Sequence, residues 1–211
     1  MTKIFKKLFE RSKWNGDYFN DNLPKKFFIN PLCTFKGKWK TPKIHNKIVG
    51  FKSKVAKDQM DALGQSHNNV YCAGELDLIK DKDLIKMVNA LGLDEVKVRS
   101  QIQKPTQMHL IHMDNGSTYE FDDPNLKKIK RVFIMLDDWH PGQVIIFGGN
   151  HVYKWKRGDV IYFDWFNIPH GTANFGHNDR PMLLVTGKTT TYFEKLLKNP
   201  GKILKFNIDQ Y

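Results

Sequence analysis

The chain has few cysteines and no long apolar run, and both absences narrow what it can be. Its two cysteines, Cys33 and Cys72, are too few for a disulfide framework, which favours a reducing compartment. No apolar run approaches the roughly 20 residues that a membrane helix needs. Residues 1–13 are basic but lack the apolar centre and cleavage site of a secretory signal. We therefore expect a cytoplasmic protein that does not bind membranes.

Arginine is also scarce, although the chain is strongly basic. Of its 34 Lys and Arg residues only five are Arg, and the net charge is +12. Residues 1–60 carry 15 of the 34 against four Asp or Glu, whereas residues 61–211 carry 19 against 18. A basic segment attracts polyanions, but base recognition relies largely on arginine forks. This composition favours a solvated lysine-rich surface over nucleic-acid binding for residues 1–60, and nucleic acid stays a less favoured partner.

Composition and periodicity divide the chain into an extension and a body. Residues 1–60 are predicted to be a basic, aromatic-rich extension packed on a body formed by residues 61–211, as one structural domain overall. Apolar residues at helical spacing predict three helices before the first predicted strand, over residues 3–11, 53–63 and 81–91.

A period of two replaces the helical period from Lys97 onwards. It predicts eight strands, near 97–103, 107–114, 131–137, 143–147, 150–155, 159–164, 170–175 and 181–188. Many short strands separated by turn residues are typical of a sandwich or barrel. Because the helices precede the strands, a parallel doubly wound sheet is disfavoured. The fold class expected is mainly β with N-terminal helices.

Two residues on the second predicted strand suggest a metal site. His112 and Asp114 are two apart, so on a strand they point to the same face. A buried carboxylate without a partner costs several kcal/mol, and a metal ion would offset that cost. The alternative is a simple His–Asp hydrogen bond at a strand end beside the Asn115-Gly116 turn, because His-x-Asp by itself is a weak signal.

The region of the last two predicted strands adds a second histidine and an arginine. His170 follows a short turn and precedes Asn174, and Arg180 lies ten residues after His170. Two histidines and one carboxylate form the facial triad of mononuclear non-haem Fe(II) oxygenases. An arginine nearby is suited to an organic acid, because its planar fork contacts both carboxylate oxygens.

At these residues the sequence resembles the Fe(II)/2-oxoglutarate-dependent dioxygenases. His112-Met113-Asp114, His170 and Arg180 match that family's His-x-Asp, His and Arg pattern in order and spacing. Within residues 97–188 the sequence is similar to uncharacterised oxygenases of marine cyanobacterial viruses and their hosts, and the host cytoplasm would then be its location. The similar segments are Gln101–Pro105, Arg131–Trp139, Pro141–Gln143, Trp155–Asp159, Phe163–Trp165 and Leu184–Gly187.

The resemblance implies both a fold and a reaction. The implied fold is a double-stranded β-helix, the eight-stranded jelly-roll barrel also found in cupins. His112, Asp114 and His170 would bind Fe(II), and Arg180 would bind the distal carboxylate of the co-substrate 2-oxoglutarate. Reaction with O2 would release succinate and CO2 and hydroxylate a C–H bond, with an amino-acid or peptidyl substrate ranked first because such substrates are frequent among relatives.

The sequence departs from the family at one position and leaves others open. Many members have Ser or Thr two residues after the arginine, where this chain has Met182, so a second co-substrate contact is expected from a Tyr or Thr hydroxyl lining the barrel. Arg131 is interpreted as a solvated strand end more readily than as a carboxylate ligand. His109 is expected to face away from the site, and His170 is preferred over His177 as the third ligand.

Two other functions remain open on the sequence alone. One is a cupin-type metalloprotein that does not use 2-oxoglutarate, since His170-x3-Asn174 after Gly158 resembles the second cupin motif; the first would need His-x-His where this chain has His-x-Asp. The other is a non-catalytic jelly-roll binding or virion module, because such folds do not imply a function. The last predicts no metal and a wide separation of the three predicted ligands.

Overall fold

The computed structural model describes residues 31–37, 39, 72–75, 82–112, 126–148, 150–165 and 168–205. Its elements in chain order are β1 Cys33–Lys36, β2 Cys72–Glu75, α1 Lys82–Ala90, β3 Asp94–Gln103, β4 Met108–His112, a 3-10 turn Leu126–Lys128, β5 Ile129–Met135, β6 Gln143–Phe147, β7 Asn150–Val152, β8 Asp159–Tyr162, β9 His170–Asn174, β10 Arg180–Lys188, α2 Thr191–Lys198 and β11 Lys202–Lys205.

These residues are mainly β-strand, as the sequence predicts. All eight predicted strands are present as β3 to β10, with ends that differ by a few residues. The predicted helix 81–91 is α1, whereas those over 3–11 and 53–63 lie outside the described residues. The strands β1, β2 and β11, the helix α2 and the 3-10 turn lie outside the predicted helices and strands. Within the described part of the chain no helix is long and apolar enough to cross a membrane.

The strands form two sheets, and the chain passes repeatedly between them. The larger sheet has the order β11-β1-β8-β5-β10-β3-β2, and the smaller has β4-β9-β6-β7. Neighbours pair antiparallel, except that β1 and β11 are parallel. Part of the basic segment 1–60 therefore belongs to the larger sheet as β1, while the predicted boundary near residue 60 stays a prediction.

The central strands of the larger sheet are buried on both faces, which explains their continuous apolar sequences. Successive side chains of a strand point to opposite faces, so Val132 and Ile134 enter one core while Phe133 and Met135 enter another. The first core includes buried side chains of α1 and α2. The second, which we call the interior core, includes residues of both sheets, among them Phe133, Phe147 and Phe163. The candidate site lies beside the interior core.

We expect Gly158→Ala to destabilise the fold strongly. Gly158 has φ +87°, and a Cβ there would overlap the carbonyl oxygen of Phe35 in β1. Gly201 has φ +91°, but a Cβ added there would meet no atom within 4 Å, so Gly201→Ala measures the backbone strain alone. Urea unfolding should show a loss of about 1 kcal/mol for Gly201→Ala and about 3 kcal/mol or more for Gly158→Ala. Equal losses would contradict the steric argument.

Because of Cys33, we expect the free energy of unfolding to fall at alkaline pH. Burial, and secondarily the charge of Asp159, raises the pKa of the Cys33 thiol from 9.0 to about 12. Because the folded state favours the neutral thiol, its stabilisation is complete below pH 9 and declines as the pH rises towards 12. Burial also raises the pKa of Tyr162 to about 12, but Tyr162 is unchanged in a Cys33 variant.

The measurement is urea unfolding of the wild type and Cys33→Ala at pH 7.5 and pH 10.5. The variant should be less stable at pH 7.5 because it leaves a small cavity. From pH 7.5 to pH 10.5 the free energy of unfolding of the wild type should fall by about 2 kcal/mol relative to that of the variant, because only the wild type loses the thiol contribution. A difference that stays constant would show that the thiol does not titrate differently in the two states.

Candidate functional site

His170 begins β9 and is almost fully buried beside the interior core. Its Nδ1 lies 3.0 Å from the carbonyl oxygen of Ile168. A carbonyl can only accept a hydrogen bond, so Nδ1 carries the proton and Nε2 of the neutral ring bears the lone pair. Phe163 packs edge-on against the imidazole, with ring centroids 4.8 Å apart. This tautomer is the one in which a histidine binds a metal through Nε2.

The strand pairing places His112 directly opposite His170. The β4–β9 register pairs His109 with Thr172 and His112 with His170, so β4 has one extra residue between the two pairs. Gly171 lies at this irregularity, where an added Cβ would be 2.8 Å from the carbonyl oxygen of His109. The register thus brings two of the predicted ligand positions together. The side chain of His112 and all of Asp114 lie outside the described residues, so the ligand set stays a prediction.

The same irregularity changes the position of His109. Opposed residues of an antiparallel pair lie on the same face, and His109 is opposite Thr172. The expectation that His109 faces away from the site is therefore wrong, because an extra residue interrupts the alternation of the strand. His177, the other histidine weighed at this site, lies exposed in the turn that follows the far end of β9.

Arg180 begins β10 and is only 2% exposed. Its Nε donates to Oε1 of Gln103 at 3.1 Å, and Nη1 is 3.6 Å from the sulfur of Met182. Gln103 is the residue directly opposite Arg180 on β3. Met182, two residues after Arg180, therefore contacts the guanidinium through its thioether.

Gln103 also connects the two sheets. Its Nε2 donates to Oγ1 of Thr172 at 3.0 Å and lies 3.4 Å from the carbonyl oxygen of Thr172. Thr172 is two residues after His170 on the same face of β9, about 7 Å along the strand. A continuous hydrogen-bonded connection thus runs from Arg180 in the larger sheet to the strand of His170 in the smaller sheet. Thr172 is a candidate for the barrel hydroxyl that the sequence predicts.

Two buried amides hold the turn between His170 and Arg180. Asn174 Nδ2 donates to the carbonyl oxygens of Gln103 and Asn178, at 2.9 and 2.8 Å. Gln143 Nε2 donates to the carbonyl oxygens of Asn178 and Asp179, at 3.1 and 3.3 Å. These bonds fix the backbone directly before Arg180. The sequence associated Asn174 with the site but did not indicate this role.

Arg131 is not the solvated strand end that the sequence suggested. It is 2% exposed, its Nε donates to Oγ1 of Thr186 at 3.1 Å, and its guanidinium carbon is 4.6 Å from the centre of the Trp165 ring. The solvated interpretation fails because β5 is buried on both faces at this position. Since Arg131 is opposite Thr186, it lies at the other end of β10 from Arg180, about 20 Å along the strand.

Within the described part of the chain, no group of three or more His, Cys, Asp or Glu side chains could hold a metal ion. Asp114 and the side chain of His112 fall outside that part. The described residues thus contain one predicted ligand side chain, His170, and the predicted carboxylate-binding Arg180.

Comparisons with known proteins give similarity at the level of folds. No protein-family model and no curated protein matches the chain. Similar solved structures include a Pseudomonas putida prolyl-4-hydroxylase, with 16% identity over 63% of this chain and 82% of that chain and a TM-score of 0.45. A cupin 2 conserved barrel domain protein from Salinispora arenicola has 12% identity over 62% and 85%, with a TM-score of 0.35.

A predicted oxalate decarboxylase from Thermotoga maritima is similar at 16% identity over 56% of this chain and 81% of that chain, with a TM-score of 0.36. Such low identities and scores do not assign an activity to this chain.

Proposed function

We propose that the chain is an Fe(II)- and 2-oxoglutarate-dependent dioxygenase built on a double-stranded β-helix. The strand order supports the fold part of the proposal. The central four strands of the larger sheet, β3-β10-β5-β8, and the four strands of the smaller sheet, β4-β9-β6-β7, have the number and the alternation between two sheets expected of an eight-stranded jelly roll.

The observation that carries the function is the connection from Arg180 through Gln103 to Thr172, two residues from His170. It joins a buried cation to the strand of a buried imidazole by 3.1 and 3.0 Å hydrogen bonds. This connection supports an organic acid that chelates a metal at His170 and whose far carboxylate is held by Arg180.

The described residues fit the proposed metal and co-substrate. With the Nδ1–H of His170 bound to the Ile168 carbonyl, the imidazole is in the tautomer in which a histidine binds a metal through Nε2. His112, opposite His170 in the ladder, and Asp114 are proposed as the other two ligands. When bound, Fe(II), 2-oxoglutarate and O2 would supply the oxidising chemistry that hydroxylates a C–H bond with release of succinate and CO2.

The protein's own part is to bind, orient and exclude water. Phe147 and Phe163 have ring centroids 4.7 Å apart, and Phe163 contacts His170, so one side of the imidazole faces an apolar wall. An apolar surround strengthens the attraction between Arg180 and a carboxylate. Met182 contributes to this by placing a thioether beside the guanidinium where a hydroxyl would be more strongly hydrated.

The substrate is proposed on the resemblance, and the location on the cysteine content together with the resemblance. An amino acid or a peptidyl side chain is the first choice. A lipid and a nucleic-acid base stay open, and the basic residues 1–60 favour an anionic or macromolecular substrate. The proposed location is the cytoplasm, or the host cytoplasm for a viral protein.

The experiment is an anaerobic titration of the metal-free protein with Fe(II) and then 2-oxoglutarate, followed by visible absorption. A weak charge-transfer band that appears only with both supports the proposal. Metal binding with no effect of 2-oxoglutarate would replace it with a cupin-type metalloprotein. No metal binding would replace it with a non-catalytic jelly-roll module.

A further inference from the structure

Gln103 lies between Arg180, the proposed carboxylate-binding residue, and Thr172, which is on the same strand as the proposed metal ligand His170. It is 1% exposed, so its amide has no access to bulk water. Its oxygen accepts from Arg180 Nε, and its nitrogen donates to the Thr172 hydroxyl. Both bonds cross between strands that are far apart in the sequence, β3 to β10 and β3 to β9.

The orientation of the Gln103 amide is determined by its neighbours. A guanidinium can only donate hydrogen bonds and a backbone carbonyl can only accept them. The amide oxygen must therefore face Arg180, and the amide nitrogen must face the carbonyl oxygen of Thr172, 3.4 Å away. Rotating the amide by half a turn would oppose two donors at one end and two acceptors at the other.

The chemical difference between Gln and Glu explains why a glutamine suits position 103. A carboxylate beside Arg180 would form an ion pair and neutralise the cation. A neutral amide oxygen holds the guanidinium by one hydrogen bond without cancelling its positive charge. Met182, which also contacts the guanidinium, is likewise uncharged. Both neighbours are uncharged, so neither of them neutralises the guanidinium.

We propose that Gln103 is the positioning residue for Arg180 and that it sets the affinity for the acidic co-substrate. The inference rests on the proposed function. Gln103 acts through Arg180, so its loss changes the concentration of 2-oxoglutarate required and leaves the metal site and the maximal rate intact.

The test compares three variants with the wild type in the Fe(II) and 2-oxoglutarate titration. Gln103→Leu removes both hydrogen bonds at similar volume. Gln103→Glu keeps the shape and adds the charge. Gln101→Leu is the matched control, because Gln101 is buried on the same strand but lies opposite Met182. Each protein is also measured for its Fe(II) Kd, and for kcat and KM in 2-oxoglutarate turnover to succinate.

The expected result is that the Gln103 variants bind 2-oxoglutarate more weakly while their affinity for Fe(II) stays the same. Gln103→Leu should raise the Kd and KM for 2-oxoglutarate about 10- to 100-fold, as loss of a hydrogen bond to a charged group does, with the Fe(II) Kd and kcat within about twofold of wild type. Gln103→Glu should raise them by about 100-fold or more, since the ion pair competes with the co-substrate. Gln101→Leu should behave as wild type.

Several outcomes would overturn the inference. Wild-type affinity for 2-oxoglutarate in Gln103→Leu and Gln103→Glu would overturn it while leaving the proposed function in place. A parallel loss of Fe(II) affinity in both variants would also overturn it, because Gln103 would then support the fold as a whole. A wild type that gives no band would overturn the proposed function and the inference together.

Discussion

His170→Ala should abolish the charge-transfer band and raise the Kd for Fe(II) by about 100-fold or more. Loss of an outer group that only orients a ligand costs roughly 10- to 100-fold in metal affinity, and removal of the ligand itself should cost at least as much. His170 is the appropriate target because its Nδ1 is committed to the Ile168 carbonyl. The measurement is Fe(II) titration of the metal-free proteins, with the band recorded at saturating 2-oxoglutarate.

The matched control for this prediction is His151→Ala. His151 lies on β7 of the same small sheet, but its side chain is exposed. This variant should bind Fe(II) and 2-oxoglutarate as the wild type does. Thermal unfolding of both variants separates loss of a ligand from loss of the fold. Unchanged Fe(II) affinity in a folded His170→Ala protein would remove His170 from the metal site and favour a different ligand set.

Arg180→Ala should raise the Kd for 2-oxoglutarate about 30- to 4000-fold and leave Fe(II) binding nearly unchanged. Truncating one partner of a buried, hydrogen-bonded charge pair costs about 2 to 5 kcal/mol, and each 1.4 kcal/mol is roughly a factor of ten in Kd. Arg180 is buried, so the cost is not screened by solvent. The Kd follows from the band as 2-oxoglutarate is added to the Fe(II)-loaded protein.

Arg180→Lys refines this prediction, and Arg99→Ala is its control. Lysine keeps the charge but loses the fork and the Nε bond to Gln103, so its Kd should lie between those of the wild type and Arg180→Ala. Arg99 is on β3 but is exposed, and its removal should have no effect. If Arg180→Ala bound 2-oxoglutarate as the wild type does, the co-substrate would have to be held elsewhere, and Arg131 would be the next buried arginine to test.

Local sequence pattern was sufficient to predict the strands that carry the candidate site. Short apolar or alternating segments separated by turn residues are a local property, because each strand must bury at least one face, and they predicted all eight strands from β3 to β10. They did not reveal β1, β2 or β11. Those are short segments of four residues whose pairing partners are far away in the sequence, and a four-residue pattern is too short to show a period. The eight-residue helix α2 was missed for a similar reason.

The contacts of these residues, in contrast, depend on how the strands and sheets meet. Strand alternation placed His109 away from the site, and an extra residue in β4, visible only in the pairing with β9, reversed that placement. Arg131 at the start of a strand could have been solvated, but packing on both faces of β5 buried it against Trp165. Gln103 carried no signal of its own, because its role depends on two strands that meet it from different sheets. Hydrogen bonds between distant strands follow from register and sheet packing, which no local pattern encodes.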